Sequence, residues 1–219
     1  MYKRQHQLGA FTGVYGYLYT LCVLREEGTP FVEDIEEIIY ETLSSTFRHL
    51  RNIDNLDIIG GLAGILGVLI KIQKTMLDSS RVTELTQKLS EGVVQKILEK
   101  YKKDGFWIEN DPGYAHGNYG IITQLYRYSL SNTCKSDAKT SIISCIKEYL
   151  DKERSLLCGK NCFPLRNNVK YYSWCNGIVG IVNAKNYLET NEFPDKFLKT
   201  EVQDLSLIHI SEPTRLALI

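Results

Sequence analysis

The sequence predicts an all-α protein, a partial α/α toroid of about four helix pairs in which an inner ring of helices is wrapped by an outer ring. A Gly-x-x-Gly motif followed by two apolar residues occurs four times, at intervals of 48, 56 and 60 residues. Intervals of this size are typical of helical-pair repeats. Strongly apolar stretches alternate with amphipathic ones, which indicates two shells. The motifs begin at Gly13, Gly61, Gly117 and Gly177.

Each motif opens a stretch that we expect to be an inner helix buried on most sides. Glycine inside a helix costs about 1 kcal/mol relative to alanine, so its paired recurrence needs a physical reason. We expect that reason to be the close approach of helix starts around a central axis. If the inner helices run in the same direction, the residues before each motif gather at one end of the barrel. The four apolar stretches are 17–24, 65–72, 121–128 and 181–188.

The outer helices are predicted from apolar stripes at helical spacing. Thr29 and Pro30 have the pattern of a helix cap followed by a first-turn proline. The fourth outer helix is expected to begin at Phe193–Pro194. The stripes of the first three are Ile35, Ile38, Ile39, Leu43 and Phe47; Val82, Leu85, Leu89, Val93, Ile97 and Tyr101; and Ala138, Ile142, Cys145, Ile146 and Tyr149.

Composition narrows the function classes. The 219 residues are 43% hydrophobic and carry 26 basic and 26 acidic side chains, so no basic surface for nucleic acid or an anionic membrane is expected. The longest apolar run, 58–70, contains four glycines and is too short to span a bilayer. We therefore expect a cytoplasmic protein. The six cysteines are irregularly spaced, which favours reduced thiols over a disulfide scaffold.

The two ends of the chain do not have the pattern of natural ends. From Leu205 the sequence LSLIHISEPTR matches the translation of a common sequencing adapter, and His209 falls within it. We expect 1–204 to be a partial domain and 205–219 to be an artefactual read-through tail. A repeat motif is already under way within ten residues of Met1, so upstream sequence is also expected to be missing.

Three chemically reactive residues stand directly before successive motifs. Asp57, His116 and Cys175 precede the glycines of the second, third and fourth motifs. Taken singly, the carboxylate is explained as a helix cap, the imidazole as a satisfied polar group under a loop, and the thiol as an inert buried cysteine. Trp174 is expected to be a core residue. The joint occurrence of the three at equivalent repeat positions favours a shared cavity.

The pair Cys158 and Cys162 has a different explanation. The chain has no second pair at matching spacing, and three residues separate the two cysteines. Zinc knuckles usually have two residues between paired ligands, so we expect an ordinary loop here.

Four segments in order resemble the glycine-rich motifs of the lanthionine synthetase C family. They are Gly-Ala-Phe-Thr-Gly at 9–13, the segment 57–64, Tyr-Ala-His-Gly at 114–117 and Ser-Trp-Cys-Asn-Gly at 173–177. The resemblance covers nearly all of residues 8–190. The first motif is closer to the cyclase domain of bifunctional class II lanthipeptide synthetases than to stand-alone cyclases.

The resemblance implies residue roles and a cofactor. Cys175 is a zinc ligand by this comparison, and His116 and Asp57 are the candidate acid/base pair. The family's remaining ligands come from a Cys-His-Gly motif one repeat further on, expected at about 225–237, beyond the last residue. Zinc binding is therefore expected of the full-length protein, and this fragment itself is expected to be inactive.

The implied reaction joins a cysteine thiol to a dehydroalanine or dehydrobutyrine of the same peptide and closes a thioether ring. Zinc would deprotonate the thiol, and the acid/base pair would protonate the resulting enolate. The partner is then a dehydrated precursor peptide, with a dehydratase domain expected upstream.

Three alternatives remain open from the residues themselves. A toroidal glycosidase requires two acidic residues at the mouth, where only Asp57 is expected. A prenyltransferase-like enzyme would keep zinc but need an aromatic-lined isoprenoid funnel. A non-catalytic helical-repeat module that binds peptides predicts an extended solenoid.

Overall fold

The computed structural model describes residues 8–28, 34–109, 111–157 and 173–211, and these form eight α-helices and no strand. The predicted all-α class is confirmed. A short 3-10 turn at Leu50–Asn52 follows the second helix. The helices are α1 (Val14–Glu26), α2 (Ile35–His49), α3 (Leu62–Thr75), α4 (Ser80–Asp104), α5 (Asn118–Ser129), α6 (Ser136–Leu157), α7 (Ile178–Thr190) and α8 (Leu198–Ser211).

The helices form two layers. In the inner layer α1 packs on α3, α3 on α5 and α5 on α7; in the outer layer α2 packs on α4 and α4 on α6. Each inner helix also packs on the outer helix that follows it in the chain. The main core lies between the layers, and the central inner helices α3 and α5 are buried on nearly every side. This arrangement is the predicted partial α/α toroid.

The four motif glycines occupy the same place in the architecture. Each is the residue immediately before an inner helix and has an extended backbone conformation. The expectation that the motifs start inner helices is confirmed. The four residues are Gly13, Gly61, Gly117 and Gly177.

Backbone hydrogen bonds join the loops that precede the inner helices. The Phe11 amide donates to the carbonyl of Ile59 at 3.1 Å, and the Ile58 amide donates to the carbonyl of Ala115 at 3.1 Å. The Ala115 amide in turn donates to the carbonyl of Cys175 at 3.0 Å. The inner helices therefore start at one end of the fold, which we call the mouth, formed by segments 8–13, 53–61, 111–117 and 173–177.

The second glycine of each motif permits a close backbone approach. A Cβ at Gly120 would lie 1.9 Å from the carbonyl oxygen of Tyr114, six residues earlier in the chain. At Gly180 the same atom would lie 2.2 Å from the carbonyl oxygen of Trp174. Real Cβ contacts are much longer, so any side chain here would push the mouth loop off its helix. The recurrence of glycine thus has the steric cause expected from the sequence.

Two details of burial differ from the prediction. On α1, Tyr17, Tyr19 and Leu24 are exposed, because α2 and α3 cover only one side of this helix. The expectation that 17–24 is buried on most sides was therefore wrong. On α2, Phe47 is 48% exposed and Thr46 is buried in its place, which shifts the end of the predicted stripe by one residue.

The last outer helix begins later than predicted. Helix α8 starts at Leu198, whereas Phe193 lies buried in the preceding turn with its ring 5.1 Å from that of Tyr126. The helix continues to Ser211, past the expected domain boundary at 204, and that boundary stays a prediction. The predicted cap at Thr29–Pro30 and the cysteines Cys158 and Cys162 lie outside the described residues. None of the described helices is long and apolar enough to cross a membrane.

A buried set of charges joins α6, α7 and α8. The Lys185 ammonium lies 3.1 Å from a carboxylate oxygen of Glu153 and 3.0 Å from one of Glu201. The Arg154 guanidinium donates to Glu201 at 2.5 Å and to Asp195 at 2.7 Å. The last helix is therefore held to the inner layer by ion pairs as well as by apolar contact.

The pKa of Glu201 makes the packing of α8 sensitive to acid. Burial would raise this pKa, but the hydrogen bond from Arg154 and the charge of Lys185 hold it below its ordinary value. A carboxylate with a depressed pKa stabilises the fold above its unfolded-state pKa, near 4.3, and the contribution is lost as pH falls through the folded-state pKa.

We expect the free energy of unfolding of the wild-type chain to fall on acidification below about pH 4.3 more steeply than that of a Glu201→Gln variant. Urea unfolding followed by helical circular dichroism at a series of pH values measures this difference. Glu41→Gln, an exposed change on α2, should keep the wild-type slope. Equal acid sensitivity in the Glu201→Gln variant would show that another group is responsible.

Candidate functional site

Two of the residues predicted to form a site are in direct contact at the mouth. The Nδ1 atom of His116 lies 2.9 Å from Oδ2 of Asp57, within hydrogen-bond distance. The two residues come from neighbouring mouth segments, which the bond from the Ile58 amide to the Ala115 carbonyl holds side by side. Residues 59 positions apart in the chain therefore form one acid/base pair.

Asp57 is held in place by its own turn. Its Oδ1 accepts a hydrogen bond from the Gly60 amide at 2.8 Å, and its amide donates to Oδ1 of Asn55 at 3.0 Å. The side chain is 11% exposed. The carboxylate therefore bonds the turn before α3, and its second oxygen is left for His116.

His116 is oriented by this carboxylate but stays accessible, with 48% of its side chain exposed. An ionised carboxylate only accepts hydrogen bonds, so Nδ1 carries the hydrogen in the pair. In the neutral ring Nε2 is then the unprotonated nitrogen. When a carboxylate holds one nitrogen of an accessible imidazole, the other nitrogen is suited to accept and return a proton.

A cavity of about 510 Å³ opens beside the pair. Its walls are the segment before α3, the end of α4 and the α4–α5 connection, and both Asp57 and His116 line it. The α4–α5 wall is formed by residues 106–109, which we call the wall segment. A cavity of this size is within the range of ligand-binding clefts, about 300–1,000 Å³.

Sequence reasoning missed three further carboxylates that line this cavity, Asp54, Asp104 and Glu109. The expectation that Asp57 is the only acid at the mouth was therefore wrong. Two of the three are paired: Asp54 lies 3.5 Å from the Lys96 ammonium, and Lys100 bonds Asp104, which lowers the pKa of that carboxyl. Asp104 and Glu109 come from the end of α4 and the α4–α5 connection, which carry no repeat motif, and Asp54 lies three residues before Asp57 in its mouth segment.

Cys175 lies in the neighbouring mouth segment, where its carbonyl accepts from the Ala115 amide. Its thiol is free and partly buried, and it is not among the residues that line the cavity described above. Trp174 is 37% exposed and stacks on Tyr114 with ring centroids 5.1 Å apart. The expectation that Trp174 is a core residue was wrong, because its segment forms the surface of the mouth.

The described residues do not form a zinc site by themselves. Among them, no three His, Cys, Asp or Glu side chains are grouped so that they could hold a metal ion. A protein zinc site needs at least three such ligands, and Cys175 supplies one thiol. Its role as a zinc ligand therefore stays a prediction that rests on the family resemblance.

Comparison with known proteins finds a matching family. The family model described as lanthionine synthetase C-like protein matches residues 2–210, nearly the whole chain. A comparison with curated proteins finds no match. The family match covers all eight helix starts and both members of the acid/base pair.

Proposed function

The chain belongs to the lanthionine synthetase C-like family, and from this membership we propose that it is the cyclase domain of a zinc-dependent lanthipeptide synthetase. The family is one of cyclase-type enzymes with peptide substrates. The observation that carries the proposal is the hydrogen-bonded pair of Asp57 and His116 beside a cavity at the mouth.

The proposed reaction adds a cysteine thiol of a peptide to a dehydroalanine or dehydrobutyrine of the same peptide. The sulfur forms a bond to Cβ, the π pair of the Cα–Cβ double bond moves toward the neighbouring carbonyl, and an enolate results. The thiol loses one proton and Cα gains one, so the product has the same composition as the substrate. Such a reaction needs a group that moves one proton near neutral pH.

We assign to His116 the transfer of a proton to Cα. Its ring is partly exposed, and Nε2 is the nitrogen left for substrate once Nδ1 bonds Asp57. Asp57 fixes the orientation of the ring through the hydrogen bond to Nδ1. The Gly60 amide holds the carboxylate in turn, so the ring is positioned before substrate arrives.

Zinc, when bound, supplies chemistry that the pair does not, namely activation of the attacking thiol. We propose Cys175 as one of its ligands. The described residues do not form this site alone. A dehydrated precursor peptide is the proposed partner, and a dehydratase domain its proposed source.

The proposal is tested with a synthetic peptide that contains one cysteine and one dehydroalanine. Ring closure leaves the mass unchanged but removes the thiol, so it is counted as loss of labelling by N-ethylmaleimide. With Zn²⁺ added, we expect this chain to bind the peptide without thiol loss, because it carries one predicted ligand. A longer form that carries a Cys-His-Gly motif should consume the thiol.

The control is the same peptide with alanine in place of dehydroalanine, which cannot accept a thiol. Its thiol should persist in both forms of the protein. Binding in both forms without thiol loss in either would contradict the proposal and support the non-catalytic peptide-binding alternative.

A further inference from the structure

Asn118 is a polar residue at a position where the other inner helices have an apolar residue. It is the first residue of α5, and the equivalent residues of α1, α3 and α7 are Val14, Leu62 and Ile178. Asn118 is only 3% exposed. A buried amide side chain is costly unless its donors and acceptor are satisfied, so its presence here needs an explanation.

The side chain of Asn118 makes four hydrogen bonds to one stretch of backbone. Its Oδ1 accepts from the amides of Trp107 at 3.2 Å and Ile108 at 2.9 Å. Its Nδ2 donates to the carbonyls of Ile108 at 2.8 Å and Asp111 at 2.9 Å. One side chain thereby satisfies two backbone donors and two backbone acceptors.

The backbone that Asn118 holds includes the wall segment of the cavity. Trp107 is 2% exposed; its indole N–H donates to the Ile97 carbonyl at 3.1 Å, and its ring lies 4.5 Å from that of Tyr101. The wall segment is therefore anchored to α4 by the Trp107 side chain. Its backbone is anchored to the start of α5 by the Asn118 side chain. Ile108 is partly exposed and Glu109 is exposed, and both line the cavity.

We propose that Asn118 is a positioning residue. It holds the peptide-binding wall at a fixed position relative to the His116 imidazole. Asn118 follows His116 by two residues, so the amide that fixes the wall and the imidazole that faces the cavity belong to one short backbone segment. An apolar residue, as in the other repeats, would leave the wall amides and carbonyls without these partners. This inference rests on the proposed function, because it takes the cavity to be the peptide site.

The test compares the wild-type chain with Asn118→Ala and with Asn118→Leu, which has the residue of the equivalent position in α3. Affinity is measured by fluorescence anisotropy of the labelled dehydroalanine peptide. We expect both variants to bind it about tenfold more weakly or worse, because several hydrogen bonds that order the wall are lost. In nitrogen–proton spectra the Trp107 indole resonance should also move, and a Trp174→Phe variant assigns it, since the chain has two tryptophans.

Ser79→Ala is the matched control. Ser79 caps α4 at the end opposite the cavity, where its hydroxyl accepts from the Val82 amide at 3.4 Å. This change should lower stability by about 1 kcal/mol and leave peptide affinity and the Trp107 resonance unchanged.

The outcomes separate the two proposals. Wild-type affinity in both Asn118 variants, or an equal loss in Ser79→Ala, would overturn the positioning role. Failure of the wild-type chain to bind the peptide would instead overturn the proposed function, and the Trp107 resonance would still report whether Asn118 holds the wall.

Discussion

Replacing His116 by asparagine is expected to lower the rate of ring closure by about 10²- to 10⁴-fold, the range found when a general acid/base residue is removed. The asparagine amide can still donate to Asp57, so the carboxylate keeps a partner and the mouth keeps its shape. What is lost is a group that moves a proton near neutral pH. The measurement is loss of the peptide thiol in the longer form that carries a Cys-His-Gly motif.

The controls for this prediction come from the same chain. His49→Asn changes another exposed histidine, whose Nδ1 bonds the Ser45 carbonyl and which does not line the cavity. It should leave the rate unchanged. Peptide affinity should be similar in wild type and in both histidine variants. A His116→Asn protein that closes rings at the wild-type rate would remove His116 from the mechanism.

The acid/base pair was predictable because glycine motifs mark equivalent positions. Asp57 and His116 both precede a motif, at Gly61 and Gly117, and the sequence therefore predicts them at the same end of the barrel. No other residue type tolerates the close backbone approach at the helix starts, so the motif is a reliable marker of position. The contact itself depends on hydrogen bonds between mouth segments, and helical periodicity does not show those.

The wall of the cavity was not predictable in the same way. Residues 106–109 lie in a connection with no repeat pattern, and their place depends on the buried Trp107 and on Asn118. One signal was present in the sequence: Asn118 is a polar residue where the other three inner helices begin with an apolar one. The exposed face of α1 had no such signal, because an apolar stretch does not reveal which neighbours cover it.

The buried charges beneath α8 lead to the prediction with the largest expected effect on stability. Lys185 and Glu153 are each 7% exposed, and the Tyr119 hydroxyl also bonds Glu153. The second carboxylate oxygen of Glu153 has no hydrogen-bond partner within the part of the chain that the structure describes. Lys185 is therefore the cation that offsets a carboxylate taken out of water.

We expect Lys185→Met to lower the free energy of unfolding by about 3–5 kcal/mol, because removal of one partner strands a buried charge. Methionine has a similar length and fills most of the space of the lysine stem, so packing is largely retained. The measurement is urea unfolding at neutral pH, followed by circular dichroism. Glu201 keeps the bond from Arg154, so Glu153 is the carboxylate left without a cation.

Two further variants decide whether the stranded charge is the cause of the stability lost in Lys185→Met. Adding Glu153→Gln to Lys185→Met removes the stranded carboxylate, and this double variant should recover a large part of the lost stability. Lys88→Met breaks an exposed pair with Glu84 on α4 and should cost well under about 1 kcal/mol. If Lys185→Met costs no more than Lys88→Met, or if the double variant is as unstable as the single one, the buried pair of Lys185 and Glu153 does not stabilise the packing of α7 on α6 through charge.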